Sequence, residues 1–291
     1  MKIRVFSVVV VGLLLLAALA SGGAQTGPVP SALEEHGLQI IELSTDKDVY
    51  SAREEVDIFL SIYTPANLST VKVQVTGVKS SKGVYYVSYS SMMELQAGEN
   101  NITFTKTLPS CSSCAGIKQG TYFIDATVAD GDVVVAATHS IAITSKANTT
   151  IPVNVEVNEV KRWTETSDDE IVVVDLRPTD EYDAGHIKGA RSIPLVNLTN
   201  LTANQTVTLN TSKKIVIYSA NGSNNALASA VLMEQGFERV YPMIGGLQAW
   251  NESGYVLVTT AEEMPPMMPG FELALAFAVL IAVAYITRRR R

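Results

Sequence analysis

The 291-residue chain is 47% apolar and 18% charged, enough to bury one or two ordinary cores and too apolar for a disordered or fibrous protein. Its net charge is −7 and its only dense basic run is Arg288 to Arg291, which argues against a nucleic-acid surface or partner. Only His36, His139 and His186 accompany two cysteines, at no ligand spacing, so no metal and no cofactor is expected.

The N-terminus carries Lys2 and Arg4, an apolar run from Val8 to Ala20 and the small residues Ala18-Leu19-Ala20-Ser21. This layout predicts a secretory signal peptide over 1–24, because an apolar run of about 13 residues falls short of the roughly 20 that span a bilayer. Asn-x-Ser/Thr triplets at Asn67, Asn101, Asn148, Asn197, Asn200, Asn204, Asn210, Asn221 and Asn251 fit an exported, glycosylated exterior.

Residues 38–146 alternate apolar and polar positions in short runs, as in Val56-Asp57-Ile58-Phe59-Leu60, Val71-Lys72-Val73-Gln74-Val75 and Ile102-Thr103-Phe104, which predicts an all-β sandwich. Thr45-Asp46-Lys47-Asp48-Val49-Tyr50 before a long strand and Gly120-Thr121-Tyr122 opening a late one resemble immunoglobulin-like and macroglobulin-type surface modules. That resemblance implies a spacing or binding role.

Both cysteines fall in this region as Cys111-Ser112-Ser113-Cys114, between Pro109 and Gly116. Outside the cell oxidation is the default, which favours a loop-closing disulfide. The redox alternative, with the two thiols as a sulfur acceptor pair, lacks the helix N-terminus that usually follows a strand in such motifs.

After a polar linker at 147–153, the pattern over 154–258 changes to solid apolar strands separated by helical stretches, the mark of an α/β domain with a central parallel sheet. Ile171-Val172-Val173-Val174-Asp175 and Lys214-Ile215-Val216-Ile217-Tyr218 read as buried strands, Asn225 to Gly236 as a helix ending in glycine, and Glu238-Arg239-Val240-Tyr241 as a further strand. Asp175 and Arg177 end the first strand, where an open α/β sheet turns side chains toward its ligand crevice.

Val174-Asp175-Leu176-Arg177, Glu181-Tyr182, Gly185-His186-Ile187-Lys188-Gly189-Ala190, Ile193-Pro194 and Gly245-Gly246-Leu247-Gln248-Ala249-Trp250 together resemble a rhodanese-like domain. In active members of that family a cysteine after the central strand opens a loop whose amides cradle a persulfide or thiosulfate, with an arginine near the loop's end. Here that stretch is Ser219-Ala220-Asn221-Gly222-Ser223-Asn224, so the resemblance sets Ser219 at the cysteine's position and Asn224 at the arginine's. Serine offers no polarizable thiolate for sulfur transfer, and asparagine no fixed charge for an anion. The expectation is an anion-binding loop at most, and no catalytic residue. A hydrolase reading of Ser219 needs a base, and the domain holds only His186, in a turn where a histidine more often makes structural hydrogen bonds.

A spacer over 259–268 leads to Pro269-Gly270-Phe271, an apolar run to Ile286 and four arginines. These features over 269–291 resemble the archaeal PGF-type sorting signal, which implies an archaeosortase-like processing enzyme, a membrane-lipid anchor and cell-surface display. A retained C-terminal transmembrane helix is the simpler alternative. The surface partner is not legible in the sequence.

Overall fold

A computed structural model describes residues 3–6, 37–111, 116–166, 170–198, 209 and 211–263. The predicted signal peptide beyond residue 6, Cys114, Asn200, Asn204, Asn210 and the sorting signal lie outside these residues. Among the described residues no helix is long and apolar enough to cross a membrane.

The first half is β-rich and forms two sheets. One joins β1 (Ile3–Phe6), β7 (Gly98–Thr107), β4 (Glu55–Thr64) and β2 (Gln39–Thr45) in that order. The other joins β3 (Val49–Ser51), β9 (Val133–Thr144), β8 (Gly120–Asp130), β5 (Leu68–Lys79) and β6 (Tyr85–Leu95). Period-two alternation sends Val71, Val73 and Val75 inward and leaves Lys72 and Gln74 exposed. Ile58, Leu60 and Ile62 of β4 and Ile124, Ala126 and Val128 of β8 join them in one core fed by both sheets. Each fully buried Val, Ile or Leu contributes about 1.5–3 kcal/mol.

The second half is α/β. Its parallel sheet orders β11 (Arg191–Ser192), β10 (Ile171–Asp175), β12 (Lys214–Tyr218) and β13 (Val240–Pro242). β10 and β12 are buried on both faces, which is why both read as solid apolar runs. One face packs on α1 (Val157–Thr166) and α5 (Gly246–Glu252), through Val160, Leu247 and Trp250. The other packs on α3 (Leu195–Leu198) and α4 (Asn225–Glu234), through Leu198, Ala228 and Leu232. The final strand starts two residues later than its sequence run suggests, because Arg239 serves instead as the turn that feeds Ile215, its carbonyl accepting from the Ile215 amide at 2.8 Å. The end of the linker is structured too. Val153 and Val155 donate to the Val240 and Pro242 carbonyls, extending the sheet by one short parallel partner.

The halves meet at a polar junction built on Glu159 of α1. This carboxylate is 1% exposed and accepts from Ser140 Oγ at 2.6 Å and the Ser140 amide at 3.2 Å, with His139 Nδ1 at 2.7 Å. His139 Nε2 lies 2.9 Å from Thr45 Oγ1. Beside them Asp48 receives Lys214 Nζ at 2.9 Å and the Tyr241 hydroxyl at 2.6 Å. Burial pushes the Asp48 carboxyl up, but the Lys214 ammonium and the Tyr241 hydrogen bond outweigh it and hold the group below its ordinary range. Ala142 of β9 and Val49 of β3 pack into the α/β core itself.

Candidate functional site

The loop of interest follows β12, at the carboxyl edge of the parallel sheet where open α/β folds bind ligands. Ser219 is 2% exposed and its Oγ has no hydrogen-bond partner among the described residues. Its carbonyl accepts from the Leu247 amide at 2.9 Å, and the Ala220 carbonyl from the Gln248 amide at 2.8 Å, so the first turn of α5 is stitched to the loop. Asn221 Oδ1 accepts from the Ser223 amide at 3.1 Å. Gly222 adopts φ +82°, and Asn224 forms the N-cap of α4 without a side-chain capping bond. Among the described residues nothing accepts from the amides of Ala220, Asn221 and Gly222, which leaves three donors for an anion or water.

Gly245 and Gly246 fix this stitching, with φ of +71° and +58°. A Cβ on Gly246 would sit 2.2 Å from the Ser219 carbonyl oxygen and 2.6 Å from the Gly222 nitrogen, so only glycine lets the helix approach the loop this closely.

Asp175 and Arg177 form a buried pair. Arg177 Nη2 donates to Asp175 Oδ2 at 2.6 Å and to the Gly185 carbonyl at 2.7 Å, and Nε donates to Asp175 Oδ1 at 3.0 Å. Glu181, exposed, stands 3.9 Å from Arg177 Nη1. Arg177 therefore braces the turn after β10. Burial, together with the Asp175 carboxylate, raises the Tyr218 phenol well above its usual range, so this side chain stays neutral and its oxygen accepts from the Ile187 amide at 3.3 Å.

His186 is fully buried and stacked on Tyr182 at 3.7 Å between ring centroids, with Nδ1 2.8 Å from the Tyr182 carbonyl. It makes no hydrogen bond to Ser219 Oγ, so the pair lacks the nucleophile–base contact that hydrolysis requires. Gly189 supplies a left-handed turn at φ +76°. The expected site residues thus separate into a loop, Ser219 to Asn224, and a bracing cluster of Asp175, Arg177, His186 and Gly189.

Two cavities flank the loop. One, of about 480 Å³, is rimmed by Arg177, Ala220, Asn221, Gln248 and Asn251. The other, of about 600 Å³, is lined by Asn154, Asn221, Asn225, Ser229 and Met243. Neither includes a lining residue from the β-rich half. Cys111 is half-buried there, its Sγ 3.7 Å from the Thr144 carbonyl, and burial raises its thiol above the ordinary value. A reactive exchange thiol needs the opposite shift. Of the remaining glycosylation triplets, Asn67 accepts from the Ala97 amide at 2.8 Å, Asn101 lies on β7, Asn148 has φ +56° and Asn197 lies on α3.

A family model for the rhodanese-like domain matches residues 156–253. The thiosulfate sulfurtransferase GlpE of Pseudoalteromonas translucida is 33% identical over 83 residues, which are 28% of this chain and 75% of that protein. The chain belongs to the rhodanese-like family. GlpE of Pseudomonas fluorescens is 37% identical over 80 residues, 28% of this chain and 70% of that protein. A solved rhodanese-like domain from Anabaena is 27% identical with a TM-score of 0.34, covering 39% of this chain and 84% of its own. The rhodanese-like domain is followed by a PGF-CTERM motif at 268–290. This rhodanese-like protein is therefore exported and anchored at the cell surface by its C-terminus, and the motif implies processing by an archaeosortase-like enzyme.

Proposed function

We propose that this protein is a surface-anchored glycoprotein whose rhodanese-like domain binds rather than catalyses, with Ser219 in the place of the family's nucleophilic cysteine and Asn224 in the place of its loop arginine. The observation that carries this reading is Ser219 itself. Its hydroxyl is buried and has no hydrogen-bond partner among the described residues, with neither the thiolate that sulfur transfer needs nor a base among them to activate it. The amides of Ala220 to Gly222 are left as a weak anion cradle. The β-rich half acts as an immunoglobulin-like spacer or binding module, its CxxC pair closed as a disulfide.

The second reading is a sulfur relay in which Cys111 and Cys114 accept sulfur from the loop. It is favoured by the relatives named thiosulfate sulfurtransferase. The raised Cys111 thiol and the composition of the two flanking cavities weigh against it.

A thiosulfate:cyanide sulfurtransferase assay separates the two. The expected result is no turnover in the parent protein. Turnover that persists in the parent and vanishes with Cys111→Ser establishes the relay, and turnover that survives that substitution equally sinks the binding reading. Ser219→Cys restores a detectable rate if the cradle is intact, but below that of the related sulfurtransferases because Asn224 supplies no charge. Intact mass before and after reductant tests the cysteines: the oxidised pair is expected to gain two hydrogens on reduction, and an unchanged mass marks them as free thiols.

A further inference from the structure

Two of the glycosylation triplets, far apart in sequence, are brought by the fold to the same cleft. We propose that Asn221 and Asn251 are both N-glycosylated and that their glycans together close the mouth of the Ser219 loop to macromolecules, an inference that rests on the loop being a binding site. Both asparagines rim the cavity of about 480 Å³ that opens beside Ala220 and Arg177. They and the hydroxyl residues of their triplets, Ser223 and Ser253, are all exposed. The Asn221 carboxamide oxygen is held by the Ser223 amide at 3.1 Å, which leaves Nδ2 as the group free to react. Asn251 sits exposed on the last turn of α5. A sugar at either position projects from the rim of the same cavity.

The modification has a defined balance. Nδ2 attacks the anomeric carbon of a sugar carried on a lipid phosphate at the outer face of the membrane. The N–C bond forms, the C–O bond to phosphate breaks with its electron pair leaving on the phosphate, and the amide proton passes to a base of the transferase. An exported chain passes that donor during translocation. The loop then admits small anions while a docking protein is turned away, so recognition of partners falls to the β-rich half.

Glycopeptide mapping of the mature protein released from its native envelope is expected to find sugar on both Asn221 and Asn251. An unmodified peptide at either position overturns the proposal. In the native host, Asn221→Gln and Asn251→Gln should each lower the intact mass by one glycan and the double variant by two. Closure itself is read with Ala220→Cys, a substitution at an exposed rim position, labelled with a polyethylene-glycol maleimide and quantified at residue 220. Labelling is expected to rise at least tenfold when both asparagines are replaced, and equal rates refute the closed mouth. These outcomes are independent of the sulfurtransferase assay. Turnover in the parent protein would sink the binding reading with the glycans in place, whereas bare asparagines would sink this inference without restoring catalysis.

Discussion

Glu159→Ala is expected to lower the unfolding midpoint by about 10 °C and to separate one melting transition into two. The substitution leaves the His139 ring and both Ser140 donors facing an emptied, buried site. Removing one partner of such a buried cluster costs about 3–5 kcal/mol, most of it the desolvation of the groups left behind. At roughly 2–4 °C per kcal/mol for a chain of this size, that is a large shift. Each half has its own apolar core, so once the junction is weakened the halves unfold on their own terms. Glu159→Gln keeps one acceptor oxygen and should lose less. A calorimetric trace of Glu159→Ala that overlays the parent would show that the junction contributes nothing in solution.

Gly246→Ala should be the most damaging small change in the rhodanese-like domain, at about 4 kcal/mol. A non-glycine residue at φ +58° is strained by about 1–3 kcal/mol. The added methyl also meets backbone atoms at 2.2 and 2.6 Å, and overpacking of that kind costs about 1–3 kcal/mol more. The relief available is to lift the Ser219 loop off α5, breaking the Leu247 and Gln248 bonds to the Ser219 and Ala220 carbonyls. Gly236→Ala is the control. It shares a positive φ, +90°, but its Cβ would meet nothing within 4 Å, so it should lose only the backbone strain common to both sites, about 1–3 kcal/mol. Equal midpoints for the two variants would remove the packing argument. Hydrogen exchange of the Leu247 and Gln248 amides should quicken in Gly246→Ala alone.

The rhodanese-like half was legible because its signals are local. Solid runs such as Ile171–Asp175 and Lys214–Tyr218 can only be strands covered on both faces, and the glycines at 245 and 246 mark a place where backbone meets backbone. Period-two alternation did the same for β4 and β5. The junction was not legible. His139 sits in an ordinary alternating strand and Glu159 in a helix whose other face is polar, and nothing in either segment reveals that they lie 2.7 Å apart. Such contacts depend on how two independently patterned halves dock, which single-segment periodicity does not encode. The convergence of Asn221 and Asn251 was hidden for the same reason, since it requires α5 to fold back under the loop.

The way the chain leaves the α/β half sets where its tether to the anchoring motif begins. Val258 pairs with His186, and α6 (Thr260–Glu263) is pinned to Asp183 at the end of α2 (Thr179–Ala184) by a 2.7 Å hydrogen bond. The exit point is thus beside the turn that follows β10, on the same carboxyl edge of the sheet that carries Ser219. From Glu263 to the start of the anchoring motif at 268, the backbone can stretch at most about 18 Å. The tether between the α/β half and the anchoring motif is therefore short, and it starts beside the turn that follows β10.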